Sequence, residues 1–266
     1  MTTSPDAARD TPVFCCRDIV KCYEGEPVIS GINLDLRAGE IISLVGPSGV
    51  GKTTLFNVLA GVDKPDAGQI LLNGADITGV AGRVSYMMQK ALLLEYRTVL
   101  NNVILPLLIR GVPQQAAREQ VTPFFTEFGL SGCEDKYPGQ LSGGMQQRAA
   151  LLRSCLQENP VILLDEPFSA LDALTRRNMR DWFQNIIRSA RPPASGSQRL
   201  SAVFITHDVE EAIVLSDRVY TLAGTPGRIS AVFEIAAAHP RSRDYPLTPE
   251  FAAQKKAILD VVEGSA

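Results

Sequence analysis

The chain has 266 residues, 45% of them hydrophobic, enough to bury a substantial core in one domain or one domain plus a subdomain. Its formal net charge of −3 offers no general attraction to nucleic acid or to an anionic membrane surface. The five cysteines, Cys15, Cys16, Cys22, Cys133 and Cys155, are odd in number and contain no CxxC pair. This pattern argues against a disulfide framework or a zinc site, and buried reduced thiols in a cytosolic protein are expected.

Residues 1–11 are polar, lack an apolar run of secretory type, and are expected to form a flexible tail. Short strand-like runs follow at Val13–Cys16, Val28–Ser30 and Ile32–Leu36, with turn signals at Gly25 and at Ala38 and Gly39. Ile41–Val45 is a continuous apolar strand, as a parallel sheet covered on both faces requires. A glycine-rich turn then leads into a helical pattern carrying Leu55, Phe56, Val58 and Leu59. Gln69–Gly74 reads as a strand running into a turn. From about 90 to 155 long helix-compatible stretches replace strands. The apolar run Val103–Ile109 is far short of the roughly 20 residues of a spanning helix, and Pro106 interrupts it. Any membrane role is therefore expected to come through a partner. Three buried-strand candidates, Val161–Asp165, Ala202–Thr206 and Val219–Ala223, complete an α/β pattern, and a Pro/Ser/Gly loop occupies 189–198.

The turn after Val45 reads Gly46, Pro47, Ser48, Gly49, Val50, Gly51, Lys52, Thr53, with Thr54 next, and fits GxxxxGK[ST] between a strand and a helix. Glycines let successive N–H groups point inward at phosphate oxygens, and the positive helix end reinforces that anion site. In such a loop Lys52 reaches the terminal phosphates of a nucleotide and the Thr53 hydroxyl ligates Mg²⁺. Asp165 closes an apolar strand, so its carboxylate emerges at the carboxyl edge of a sheet, suited to hold Mg²⁺ through water. The adjacent Glu166 is the candidate to polarise an attacking water. A strand-end carboxylate that only caps a helix is credible for either residue alone and weak for the pair.

Leu141, Ser142, Gly143, Gly144 and Met145, followed by Gln146, Gln147 and Arg148, closely resemble the LSGGQ signature of ABC ATPases. That family also shows an aromatic residue before the P-loop, a glutamine after a later strand, a D-loop and a switch histidine. Tyr23, Gln89, the run from Ser169 to Asp172, and His207 stand here in that order. The resemblance covers nearly the whole chain from about residue 13. It implies a P-loop NTPase (RecA-like) α/β core over 12–228, with an antiparallel β subdomain and a helical subdomain inserted at about 90–155. A short C-terminal extension, 229–266, follows.

The same resemblance implies roles. Tyr23 would stack on adenine. Gln89 would reach both Mg²⁺ and the catalytic water and report to the helical subdomain. His207 would meet the terminal phosphate and work with Glu166, although a His-Asp pair there could equally cap a helix. Ser142, Gly143 and Gly144 would close over the nucleotide of a second copy, so that two ATP molecules lie in a head-to-tail dimer. Asp165 and Thr53 with Gln89 would complete the Mg²⁺ site, and ATP would be hydrolysed to ADP and phosphate.

Several stretches resemble the importer branch serving nitrate, sulfonates, taurine and thiamine precursors. They are Met87–Lys90 with Leu92–Leu94, Arg97–Val103, Asp165–Arg176 and Thr206–Ala212. Glu95 and Tyr96 stand where the branch has Pro-Trp. The resemblance implies two membrane permease subunits at the cytoplasmic face of the membrane, an extracytoplasmic substrate-binding protein, and no nucleic acid. The solute would be small, and anionic or sulfur- or nitrogen-containing. The apolar stretch 91–109 can be core or the lip of a groove receiving a permease helix. A soluble ABC-type ATPase and an inactive nucleotide-binding regulator are the rival readings.

Overall fold

The computed structural model describes residues 12–188 and 200–264; the segments 1–11 and 189–198 lie outside the described residues. In chain order the strands are β1 (Phe14–Tyr23), β2 (Glu26–Leu36), β3 (Ile41–Val45), β4 (Ala67–Leu72), β5 (Ala75–Asp76), β6 (Ser85–Met87), β7 (Val161–Asp165), β8 (Ser201–Ile205), β9 (Arg218–Ala223) and β10 (Arg228–Glu234). The helices are α1 (Lys52–Leu59), α2 (Val99–Val103), α3 (Leu105–Ile109), α4 (Gln114–Glu127), α5 (Gly143–Cys155), α6 (Ala173–Arg188), α7 (Val209–Leu215) and α8 (Pro249–Gly264). They fall into two compact units, one running up to Val84 and resuming at Leu200, the other Ser85–Arg199.

In the first unit an antiparallel sheet has the order β2-β1-β4-β5. A second set of strands runs β10-β9-β3-β8, with β3 parallel to both β8 and β9 and β10 antiparallel to β9. All five residues of β3 are buried, as its unbroken apolar sequence requires. The two short strands expected at 28–30 and 32–36 are one strand, β2. Gly31 sits inside it at φ +64°, and its register against β1 shifts between the Ile19–Ile32 and Lys21–Ile29 pairs. A bulge glycine and a turn glycine look alike in sequence, which is why the strand reads as broken.

Strand β10 was not foreseen because none of its residues is fully buried, so no apolar run announces it. Helix α8 places Phe251 and Ile258 in a cluster with Val209, Ala212 and Ile213 of α7 and with Val45 of β3. The chain after residue 228 therefore contributes both a strand and a core helix. A largely buried ion pair, Arg218 Nε to Glu40 Oε1 at 2.6 Å, ties the start of β9 to the residue preceding β3. Glu40 also accepts the Arg37 N–H at 2.7 Å, so this charge is well partnered.

In the second unit β6 and β7 pair in parallel. The long helices expected over 90–155 are α4 and α5. Residues 90–98 are not helical, and α2 and α3 have only five residues each, with Pro106 at the start of α3. Proline fits there because the first turn of a helix needs no N–H. Phe128 meets Trp182 edge-on at 4.0 Å between ring centroids, and Phe168 meets Phe183 at 6.2 Å. Such pairs add to the stabilisation that burial gives α4 and α6.

All five cysteines are free thiols, and burial pushes Cys16 and Cys155 up to about 12, so both stay protonated. Among the described residues no helix is long and apolar enough to cross a membrane. Because the Ile258 side chain is fully buried in the α7–α8 cluster, Ile258→Ala should destabilise the protein by about 2–5 kcal/mol. Urea unfolding followed by circular dichroism measures this. An unchanged midpoint would show that α8 does not belong to the cooperative core.

Candidate nucleotide site

The first unit carries the phosphate-loop residues. The chain leaves β3 at Gly46, turns through Gly49 at φ +82° and Gly51 at φ +100°, and enters α1 at Lys52. Both angles lie where a side chain is strained. The loop is also closely backed. A Cβ on Gly46 would stand 2.3 Å from the Leu222 carbonyl oxygen, and one on Gly51 would stand 2.5 Å from Ile29 Cγ2. Behind Val50, Gly227 approaches so closely that its own added Cβ would lie 2.1 Å from the Val50 oxygen. Strands β2 and β9 and the β9–β10 turn therefore set the path of the loop.

Lys52 Nζ folds back over the turn and donates to the Gly46 and Pro47 carbonyls at 2.8 and 2.7 Å. Ser48, Gly49 and Thr53 are exposed. The open loop, the lysine ammonium and the N-terminus of α1 make a cradle that fits the polyphosphate of a nucleotide. Tyr23, at the end of β1, is 44% exposed and donates its hydroxyl to Asp63 Oδ2 at 2.9 Å. Partial burial and then the Asp63 carboxylate raise its pKa, while a hydrogen bond with Thr54 opposes them, so the ring stands beside α1. One face of the ring lies under Lys21 Nζ, 5.3 Å from the centroid.

His207 belongs to the same unit. Strand β8 runs parallel to β3, with Leu44 opposite Ile205, and the Thr206 N–H donates to the Leu44 oxygen at 3.4 Å. His207 and the loop at 46–51 thus leave the same edge of these strands. The capping alternative falls to the neighbour: Asp208 accepts the N–H groups of Glu210 and Glu211 as the N-cap of α7, and His207 is exposed. Thr206 donates its hydroxyl to the buried Glu211 Oε2 at 2.6 Å, fixing the backbone on the other side of His207.

The second unit carries Gln89, Asp165, Glu166 and the signature residues. Because β6 and β7 are parallel, with Met87 opposite Leu164, the residues that follow them emerge together. Gln89 Nε2 donates to Glu166 Oε2 at 3.3 Å. Asp165 is buried at 2% exposure, and Glu166 adopts φ +49°. A glutamate held in the left-handed region is strained by roughly 1–3 kcal/mol, a cost that folds retain mostly at working sites. Ser142 is the N-cap of α5, accepting the Met145 N–H at 3.3 Å, and Gly143 and Gly144 form its first turn. Gly144 packs under the segment after β7, where an added Cβ would lie 3.2 Å from the Ala170 oxygen.

The apolar stretch 91–109 divides residue by residue. Val99, Leu100, Val103, Ile104 and Leu107 are core, whereas Leu92, Tyr96 and Ile109 are 56%, 76% and 77% exposed. Two polar residues that the sequence reading missed shape its exposed part. Asn102, fully buried, donates to the oxygens of Leu94, Arg97 and Thr98 and accepts the Leu94 N–H. Arg153 donates to the Ala91 and Leu92 oxygens at 2.8 and 3.0 Å and holds Leu92 at φ +43°. The available signal was a polar residue at a position where a helix faces its core.

The sequence pattern described as ABC transporter matches residues 29–169. An uncharacterized ABC transporter ATP-binding protein of Methanocaldococcus jannaschii is 39% identical over 235 residues, covering 88% of this chain and 84% of its own. An aliphatic sulfonates import ATP-binding protein of Streptomyces avermitilis is 39% identical over 252 residues, covering 95% and 92%. A solved dimeric structure of a bacterial ABC transporter cassette, 25% identical, superposes with a TM-score of 0.75 over 85% of this chain and 100% of that one. With the family pattern matched over more than half of its length and relatives 39% identical over most of theirs, the chain belongs to the ABC transporter family, as one of its ATP-binding cassettes.

Proposed function

We propose that this chain hydrolyses ATP to ADP and phosphate to energise an ABC importer for a small anionic or sulfur- or nitrogen-containing solute. The observation that carries the hydrolytic reading is the Gln89–Glu166 hydrogen bond at the ends of two parallel strands, next to the buried Asp165. The import reading is supported by relatives named for aliphatic sulfonate import that are 35–39% identical over most of their length.

In this reading the N–H groups of residues 46–54 and the Lys52 ammonium bind the phosphates, and Tyr23 takes the adenine ring. Thr53, Asp165 and Gln89 would offer the hard oxygen donors that Mg²⁺ prefers. Mg²⁺ held there would supply neutralisation of charge developing on the phosphate oxygens. Glu166 orients and deprotonates the attacking water, with Gln89 fixing its carboxylate. His207 donates a hydrogen bond to the terminal phosphate. Ser142, Gly143 and Gly144 serve the nucleotide of a second copy, so the working unit is a head-to-tail dimer. It would sit at the cytoplasmic face of the membrane, held by two permease subunits and served by an extracytoplasmic binding protein. The segment 90–155 would act as the subdomain that meets the permease, presenting Leu92, Tyr96 and Ile109.

Lys52→Ala should abolish hydrolysis while leaving the fold intact, because Lys52 is a partly exposed residue outside the core whose amine donates to the Gly46 and Pro47 carbonyls of the loop. Phosphate release by the purified variant at the parent rate would refute the loop assignment, and a parent protein without phosphate release would favour the inactive regulator. Glu166→Gln should bind ATP and turn it over at least about 100-fold more slowly, since an amide is no base. With Mg-ATP it should accumulate as a dimer by light scattering, and a protein that stays monomeric counts against the sandwich. Tyr96→Asp should lose co-purification with its permease while fluorescent-ATP affinity stays within about twofold. A carboxylate forced into an apolar groove costs several kcal/mol or prevents docking. Unchanged co-purification would move the docking surface elsewhere.

A further inference from the structure

Gln147 lies on α5, five residues after the signature serine, with 4% of its surface exposed. Its amide does not serve α5. Nε2 donates to the Glu166 carbonyl oxygen at 3.2 Å and to Ser169 Oγ at 3.3 Å, and Oε1 accepts the Ala170 N–H at 3.1 Å. The same Glu166 oxygen also accepts the Ser169 hydroxyl at 2.9 Å and the Ser169 N–H at 3.2 Å. Three donors therefore converge on the carbonyl of Glu166, the residue directly after β7, which is held at φ +49°. A strained backbone persists only where its surroundings over-determine it, and the Gln147 amide is the part of those surroundings supplied from another element.

We propose that Gln147 is a positioning residue for hydrolysis: its buried amide locks the turn 166–170 to the signature helix and so fixes the direction of the Glu166 carboxylate. The proposal rests on Glu166 being the base. The carboxylate is aimed from two sides, by Gln89 at its oxygen and by Gln147 at its backbone. Neither hydrogen bond of the Gln147 donor involves a phosphate-loop residue, so nucleotide binding does not depend on it. The same amide makes the register between α5 and the turn all-or-none. If α5 shifts relative to the turn, both donor bonds and the acceptor bond are lost together, and the Glu166 carbonyl is left with only the Ser169 donors of its own turn.

The test uses Gln147→Met, which keeps the side-chain length and volume and removes the amide, in the full-length chain. Hydrolysis should slow by about 10- to 100-fold, the penalty expected for misplacing a reacting group by less than about 1 Å. KM, fluorescent-ATP affinity and the thermal midpoint should stay close to those of the parent. Gln147→Glu, which keeps the acceptor for the Ala170 N–H and loses both donors, should recover none of the rate. In the Glu166→Gln background Gln147→Met should cause no further loss, because it acts only through Glu166. A parent-like rate in Gln147→Met overturns the proposal, and so does a further full loss in the double variant. A joint fall of affinity and thermal midpoint would make Gln147 a packing residue and overturn it as well. A parent-like rate in Glu166→Gln alone instead refutes the base assignment, independently of Gln147.

Discussion

A phosphate loop must expose its backbone N–H groups on one side while its other side is pressed against the sheet, and both demands fall on the same few residues. Gly46 passes the Leu222 carbonyl and Gly51 passes Ile29 at distances no Cβ could occupy, and Gly227 comes up behind Val50. The loop has no freedom to collapse, so its open face is maintained by packing behind it. That packing extends outward through the first unit. Val45, the residue before the loop, belongs to the cluster that α7 and α8 fill, and the Arg218–Glu40 pair holds the strand beside it. A helix near the end of the chain thus helps to fix a turn near its beginning.

In the second unit the constraint is strain that is held from outside. Glu166 at φ +49° and Leu92 at φ +43° are both unfavourable for residues with side chains. Each is gripped at the carbonyl by a side chain of α5, Glu166 by Gln147 and Leu92 by Arg153. Burial lowers the pKa of Arg153, since its charge is partly removed from water. The helix whose N-cap is the signature serine is therefore also the element that shapes the turn of the candidate base and the exposed segment at 91–98.

Four polar core residues follow one rule. Asn102, Gln147, Thr206 and Glu211 are buried, and each has a hydrogen-bond partner in a segment that is not regular secondary structure. Loops cannot satisfy their own backbone groups as helices and strands do, so a loop that must hold one shape borrows donors and acceptors from a neighbouring element. Apolar packing would fill the same volume without specifying the path of the loop.

The residues expected to do chemistry were legible from types and spacing. Glycines at 46, 49 and 51 with Lys52 state what an anion-binding turn needs. An acid pair closing an apolar strand at 165–166 states where charge emerges, and Ser142 before a helical run states a cap. Such signals are local, since each depends on neighbours a few residues away. The sequence alone also determined the buried strands β3, β7 and β8, because continuous apolar runs need cover on both faces. Strand β10 and the unbroken β2 depended on partners: β10 on pairing with β9, and β2 on a bulge that resembles a turn. Which residues of 91–109 are core and which are surface, and the aiming of Glu166 by Gln89 and Gln147, were decided only in three dimensions. Their partners lie from 19 to 77 residues away along the chain, and no local pattern records which distant group will close a hydrogen bond.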